Sequence, residues 1–265
     1  ELVVCTVAAL GGNPDLAIGN VMGSNLANIG LILGVTALVR PLDVRERVVW
    51  REMPLMLLVT LALYPLAWDG VLSRGDGVLL LFALVAYLIF VFYSVEDEAP
   101  EILGEYEEFM KESDRTTSLV SGTDVLWVIA GSACLVLGGI CIDAGAVEIA
   151  SSLGISEVVI GLTVVAVGTS LPELATSLVA ALRSEADIAV GNVIGSNIFN
   201  VAAILGTASV VSPLAIPSHV LTRELAVVVA MSLLLFPILR TRWRIRRWEG
   251  ALLLACYVGA VTWLL

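Results

Sequence analysis

Gly19-Asn20-Val21-Met22-Gly23-Ser24-Asn25-Leu26-Ala27-Asn28 recurs as Gly191-Asn192-Val193-Ile194-Gly195-Ser196-Asn197-Ile198-Phe199-Asn200. Carried outward at the same offset of 172, Glu1–Gly34 aligns with Glu173–Gly206 without a gap, at 18 identities in 34 positions. Matched Leu, Val and Ala are ordinary in so apolar a chain. Matched Asn, Ser, Gly and Glu in register are not, and they mark an internal duplication.

Composition says what kind of molecule is duplicated. The chain is 58% hydrophobic and 15% charged, with a mean hydropathy of +0.97, against about 45–50% and 25% for a soluble domain. The apolar residues fall into runs of the roughly 20 residues that a helix needs to cross a bilayer. The period-2 alternation of a barrel strand is missing, so helices must satisfy the backbone in lipid. The expected class is an all-α integral membrane protein.

Charged and Pro/Gly punctuation divides the chain into nine segments: a partial one at 1–10, then 14–39, 48–68, 77–95, 124–142, 156–182, 187–211, 221–239 and 248–265. One long polar connection, 96–122, carries nine of the 25 acidic residues between Glu96 and Asp114. It separates a first repeat, 1–95, from a second, 123–265. It lacks the alternating Asp/Asn and Gly of an EF-hand loop and reads as a solvated linker. The two motif copies lie five helix steps apart, an odd number, so the second crosses the membrane in the opposite sense. Inverted repeats of this kind are a transporter architecture, with the substrate site near the midplane where the copies meet.

Basic residues fix the sidedness. The loops after the second, fourth, sixth and eighth segments hold 12 of the 14, leaving Arg74 and Arg223 opposite. The positive-inside rule makes that side, with the acidic linker, cytoplasmic. The cluster Arg240–Arg247 is then a topology signal compatible with anionic headgroups. Trp50, Trp68, Trp243 and Trp248 lie near segment ends, where amphipathic rings settle.

Within each copy the polar residues share a helix face. Asn20, Ser24 and Asn28, like Asn192, Ser196 and Asn200, are spaced i, i+4, i+8. Gly19 and Gly23, like Gly191 and Gly195, form a small-residue stripe beside them, which lets another backbone approach. Upstream, Gly168-Thr169-Ser170-Leu171-Pro172-Glu173 places a Gly and a Pro inside one apolar span, which predicts a broken helix with freed carbonyls. Glu173 lies mid-span, where a carboxylate costs a few kcal/mol even on lenient scales and marks a functional site. Its counterpart is Glu1. Two carboxylates with hydroxyl, amide and carbonyl oxygens form a donor set for a hard cation such as Ca²⁺. Cys5, Cys134, Cys141 and Cys256 lack metal-ligand spacing and read as small buried hydrophobes. His219 is the only histidine and lies in a loop.

On these residues the chain resembles a known family. Gly168–Leu174 with Gly191–Asn200 is similar to the second α-repeat of the sodium/calcium exchanger membrane region, in its prokaryotic form, and Gly19–Asn28 to the first. The resemblance spans the chain and implies ten helices, five plus five, of which the sequence from Glu1 would lack the first and the start of the second. It implies a secondary antiporter exchanging Na⁺ for Ca²⁺ by alternating access at one central site. The ligands it implies are Glu1, Ser24 and Asn28 from the first repeat. From the second they are the Ala166 carbonyl, Thr169, Ser170, Glu173, Ser196 and Asn200. The two glutamates would hold Ca²⁺, with hydroxyls and the carbonyl completing outer Na⁺ sites. Some members, potassium-dependent ones included, carry Asp where Asn200 stands, so the paired Asn argues against K⁺ dependence.

Ca²⁺ and Na⁺ are thus the expected partners, with the lipid bilayer. No cofactor, nucleic acid or obligate protein partner is expected, and the setting is the plasma (inner) membrane of a prokaryote. The nearest rival is a Ca²⁺/H⁺ antiporter of the same superfamily, which places an acidic residue within the Gly-Asn motif. A membrane-embedded enzyme is the other class. Ser170 and Glu173 exist for it, but no His, paired Asp or Lys base stands beside a nucleophile in a span.

Overall fold

The computed structural model describes residues 1–96, 165–240 and 242–264, with isolated positions between 123 and 137 and at 163. The fifth segment, the acidic linker beyond Glu96 and Cys141 lie outside the described residues or at their edge. What is described is helical apart from two short strand pairs.

In the first repeat α1 (Leu2–Leu10) leads to α2 (Pro14–Ala27), a π-helical turn at Asn28–Ile32 and α3 (Leu33–Val39). After β1 (Leu42–Asp43), a π turn at Val48–Glu52 opens α4 (Met53–Leu66). β2 (Val71–Leu72) precedes α5 (Arg74–Glu96). The second repeat resumes with α6 (Ala166–Thr169), α7 (Leu171–Leu182) and α8 (Ala186–Phe199). A π turn at Asn200–Leu205 then leads into α9 (Gly206–Val211). β3 (Leu214–Ala215), a π turn at Val220–Glu224, α10 (Leu225–Arg240), β4 (Arg244–Ile245) and α11 (Arg247–Leu264) complete it.

Local chemistry sets these boundaries. Pro14 sits in the first turn of α2 with Asp15 beside it, where the missing N–H costs nothing and the carboxylate meets the positive end of the helix dipole. α5 starts on a capping box: Ser73 N–H donates to Asp76 Oδ2 (2.9 Å) and Asp76 N–H to Ser73 Oγ (3.3 Å). Glu249 caps α11 by accepting Arg246 N–H at 2.7 Å. The turn before α2 passes through Gly12 at φ +80°, and its counterpart before α8 passes through Ser184 at φ +71°. The second repeat therefore holds a left-handed turn without the glycine that makes it easy.

The expected break in the sixth segment is present. Ser170 leaves helical geometry (φ −91°, ψ 4°) and Pro172 starts the next helix, so α6 and α7 are separate pieces of one span. Five other runs among the described residues, 14–39, 48–66, 74–91, 186–211 and 220–240, are long and apolar enough to cross a membrane.

The duplication is visible as packing. α3 of the first repeat lies on α11 of the second, and α9 of the second on α5 of the first. Both contacts are glycine to glycine. A Cβ on Gly250 would stand 2.8 Å from the Gly34 carbonyl oxygen, and one on Gly77 would stand 2.6 Å from that of Gly206. The strands repeat the exchange at the ends of the bundle. β1 pairs with β4 (Leu42 opposite Ile245), and β2 with β3 (Leu72 opposite Leu214). At the β1–β4 end Arg40 Nη1 donates to the Leu182 carbonyl (3.1 Å), and Arg45 pairs with Asp187 (2.6 Å). The Arg-bearing loops after the second, sixth and eighth segments thus share one end, as the basic-residue count requires, and the β2–β3 pair lies at the other. The molecule is an all-α integral membrane protein of two inverted, interlocked repeats.

Candidate ion-binding site

The polar stripes of the two motif helices meet at the middle of this bundle. α2 is buried along its length from Ala17 to Ala27. Asn20, Ser24, Asn25 and Asn28 are each 0–1% exposed, and Asn197 and Asn200 are 1–2% exposed. Amides at that depth need partners, and they find them in the opposite repeat. Asn28 Nδ2 donates to Asn197 Oδ1 at 3.0 Å, and Asn200 Nδ2 donates to Asn25 Oδ1 at 3.0 Å. Each bond is the other's counterpart under the 172-residue repeat. Among the described residues two of the four π-helical turns, the pair inside the motif-bearing spans, begin at these residues, Asn28 and Asn200. A π turn inside a span is rare and concentrates at functional sites.

A second cluster gathers at the break between α6 and α7. Ser170 Oγ donates to Glu1 Oε1 at 3.0 Å. Around the Thr169 hydroxyl lie the carbonyl oxygens of Val165 (2.9 Å) and Ala166 (3.3 Å), Asn20 Oδ1 (3.0 Å), Glu1 Oε1 (3.5 Å) and Ser24 Oγ (3.5 Å). Ser24 and Ser170 bring protons of their own, and the Ala166 carbonyl also accepts Ser170 N–H at 3.0 Å. What converges is a set of neutral and carboxylate oxygens, the donor type that a hard cation takes.

A cavity of about 530 Å³ opens beside this cluster, lined by Glu1 and Glu173, by Gly191, Asn192, Gly195, Ser196 and Asn200, and by Leu84 and Tyr87 of α5. Glu173 Oε2 is buried without a hydrogen-bond partner among the described residues, and so is Asn28 Oδ1. Unpaired acceptors at this depth are costly unless something occupies the site. Among the described residues no three His, Cys, Asp or Glu side chains converge, so a cation here would rest on two carboxylates and neutral oxygens.

All nine residues named from the sequence fall into this region. Glu1, Ser24, Ala166, Thr169 and Ser170 form the cluster; Glu1, Glu173, Ser196 and Asn200 line the cavity. Asn28 is linked to them through Asn197. The outer parts of each stripe brace the walls: Asn20 Nδ2 reaches Cys5 Sγ (3.1 Å), and Asn192 Nδ2 reaches Ser177 Oγ (3.1 Å) and the Glu173 carbonyl (3.3 Å).

Gly191 and Gly195 line the cavity, and a Cβ on either meets nothing within 4 Å among the described residues. Two expectations change. The cysteines are not uniformly buried hydrophobes. Cys5 is buried and accepts an amide hydrogen bond, Cys256 is half-buried, and Cys134 is exposed. Asn25 and Asn197 were absent from the expected ligand set, yet they accept the hydrogen bonds of its two asparagines, Asn200 and Asn28. Their identity in both copies was the available signal.

Inverted helical repeats with a break and an oxygen-lined cavity at their meeting point define a membrane transporter, not an enzyme. A family model described as sodium/calcium exchanger protein matches residues 1–93 and 123–265. CaxA of Alkalimonas amylolytica is 39% identical over 264 residues, covering 98% of this chain and 81% of its own. The sodium/calcium exchanger MaX1 of Methanosarcina acetivorans is 32% identical over 290 residues, at 98% and 83% coverage. A solved structure of the sodium-calcium exchanger NCX_Mj superposes with a TM-score of 0.74 at 32% identity, covering 100% of this chain and 81% of that one. The chain belongs to the sodium/calcium exchanger family, and it is a cation antiporter of the calcium class.

Proposed function

We propose that this antiporter exchanges Na⁺ for Ca²⁺ at a single all-oxygen site, presented alternately to the two sides of the membrane. The observation that carries the reading is the convergence of oxygens around Thr169, with both glutamates on the adjoining cavity. Glu1 and Glu173 hold Ca²⁺ in this reading. The hydroxyls of Ser24, Thr169, Ser170 and Ser196, the amides of Asn28 and Asn200 and the Ala166 carbonyl complete the Ca²⁺ and Na⁺ shells. Two carboxylates neutralise one Ca²⁺ or two Na⁺, so the ions compete, and an empty site keeps two buried negative charges whose mutual repulsion opposes closure. The likeness to MaX1 and NCX_Mj, both sodium/calcium exchangers, supports the choice of ions.

The site lies in the plasma membrane of a prokaryote in this reading. The β1–β4 end and the acidic linker 96–122 face the cytoplasm, and 1–95 and 123–265 act as the two repeats. An inner membrane protein of Escherichia coli, YrbG, 38% identical over 237 residues, is in keeping with that setting.

Radiolabelled Ca²⁺ uptake into proteoliposomes tests the assignment. An outward Na⁺ gradient should drive uptake, and Glu173→Gln should reduce it by at least about a hundredfold without loss of folded protein, as expected for a charge-bearing ligand. Uptake driven by a pH gradient and indifferent to Na⁺ would make the protein a Ca²⁺/H⁺ antiporter. Normal exchange in Glu173→Gln would remove the carboxylate from the site.

A further inference from the structure

We infer that Asn25 and Asn197 are positioning residues that fix which end of the Asn200 and Asn28 amides faces the cation. The inference deepens the ion-site reading and rests on it. An asparagine amide is ambivalent: its oxygen attracts a cation, and its NH₂ group, on the same planar carbon, repels one. A neutral amide ligand is therefore useful only when something holds the nitrogen away.

The two cross-repeat hydrogen bonds do that. Asn200 Nδ2 is committed to Asn25 Oδ1 and Asn28 Nδ2 to Asn197 Oδ1, each at 3.0 Å. With its nitrogen engaged, Asn28 keeps a buried oxygen that has no hydrogen-bond partner among the described residues. Asn200, held from the other side, lines the cavity with both glutamates. The orienting residues are themselves oriented, which is what makes them reliable. Asn25 Nδ2 donates to the Asn197 backbone carbonyl at 3.4 Å, so its own Oδ1 must face Asn200. Asn197 Nδ2 approaches Met56 Sδ at 3.5 Å, a weak acceptor. Its grip is looser, so Asn28 is the less firmly held of the two ligands.

Asp at either orienting position would still accept the bond, but it would add a buried charge and lose the donor that fixes it. Ser is too short to bridge the helices. Asn does both jobs, which accounts for its presence at 25 and 197 as well as at 28 and 200.

A double-variant cycle separates orientation from mere packing. Asn25→Ala frees the Asn200 amide to turn its NH₂ inward, and the half-saturating Ca²⁺ concentration for Na⁺-driven uptake should rise about tenfold. That is the loss of roughly one charge-assisted contact. Asn200→Asp replaces the amide with a carboxylate, whose two oxygens need no orienting. In that background Asn25→Ala should leave the half-saturating concentration within about twofold. A tenfold loss in both backgrounds would mean that Asn25 only packs, and no loss in either would mean that Asn200 is not a ligand held by it. Asn197→Ala should raise the half-saturating concentration less than Asn25→Ala does, and a larger rise would overturn the ranking. Glu173→Gln reports separately: if it abolishes exchange while Asn25→Ala is silent, the site stands and the positioning role falls.

Discussion

The two repeats carry the same motif and use it in different surroundings. In the first, α2 is sealed: every residue from Ala17 to Ala27 is buried, the glycines included. In the second, α8 is open on one side, and Gly191, Asn192, Gly195 and Ser196 face a cavity that α5 and α7 share. The smaller polar contacts have diverged as well. Cys5 in the first repeat does what Ser177 does in the second, each receiving the Nδ2 group of the motif's first Asn at 3.1 Å and lying 3.5 Å from a carbonyl of the following helix. What has not diverged is the set of groups that cross from one repeat to the other: the Asn pairs, the Gly contacts and the strand pairs. Duplication leaves each repeat free to change where it faces itself and ties it down where it faces its twin.

The largest test of this contrast is chemical. If both repeats contribute equally to one site, Glu1→Gln should abolish exchange as fully as Glu173→Gln, a loss of at least about a hundredfold each. Retention of transport in one of the two would show that a single repeat carries the charge. Next in size is packing. Gly250→Val puts a side chain against the Gly34 carbonyl and Ala37 and should cost about 1–3 kcal/mol of stability. Gly195→Val enters the cavity and should leave thermal stability in detergent nearly unchanged while lowering transport. Equal melting temperatures for the two variants would dissolve the distinction between sealed and open faces. The smallest effect belongs to Cys5→Ser. The second repeat already uses Ser at that place, so the change should stay within about 0.5 kcal/mol in stability and twofold in transport. A severe defect would mean that the thiol has a role its twin lacks.

Helix class, inversion and the rough bounds of the segments that the structure describes were legible in the sequence, because length and polarity in lipid leave few alternatives. The break at Ser170 was legible through Gly168 and Pro172, and the place where the polar groups gather through Glu173 and the repeated polar stripe. The pairing of those polar groups was not. Asn25 and Asn28 look alike in a sequence, and only three-dimensional packing shows that Asn25 accepts from Asn200 while Asn28 donates to Asn197. The π turns at Asn28 and Asn200 carry no compositional mark, since a widened turn uses the same apolar residues as a regular one. The glycine stripes do not tell the copies apart for a related reason: the same GxxxG spacing is buried at Gly19 and Gly23 and lines a cavity at Gly191 and Gly195.

The interlocking of the halves also sets a timetable. Asn200 and Asn25 are 175 residues apart, and Arg247 reaches the Val39 carbonyl across 208. At ribosomal rates of about 5–20 residues per second, a span of that length takes on the order of ten to forty seconds to emerge. For that interval the amides of α2 are already made and their acceptors are not. The early half must wait in the membrane with its polar stripe unanswered, sheltered by insertion machinery or by a provisional neighbour. Its assembly is a problem of waiting as much as of packing.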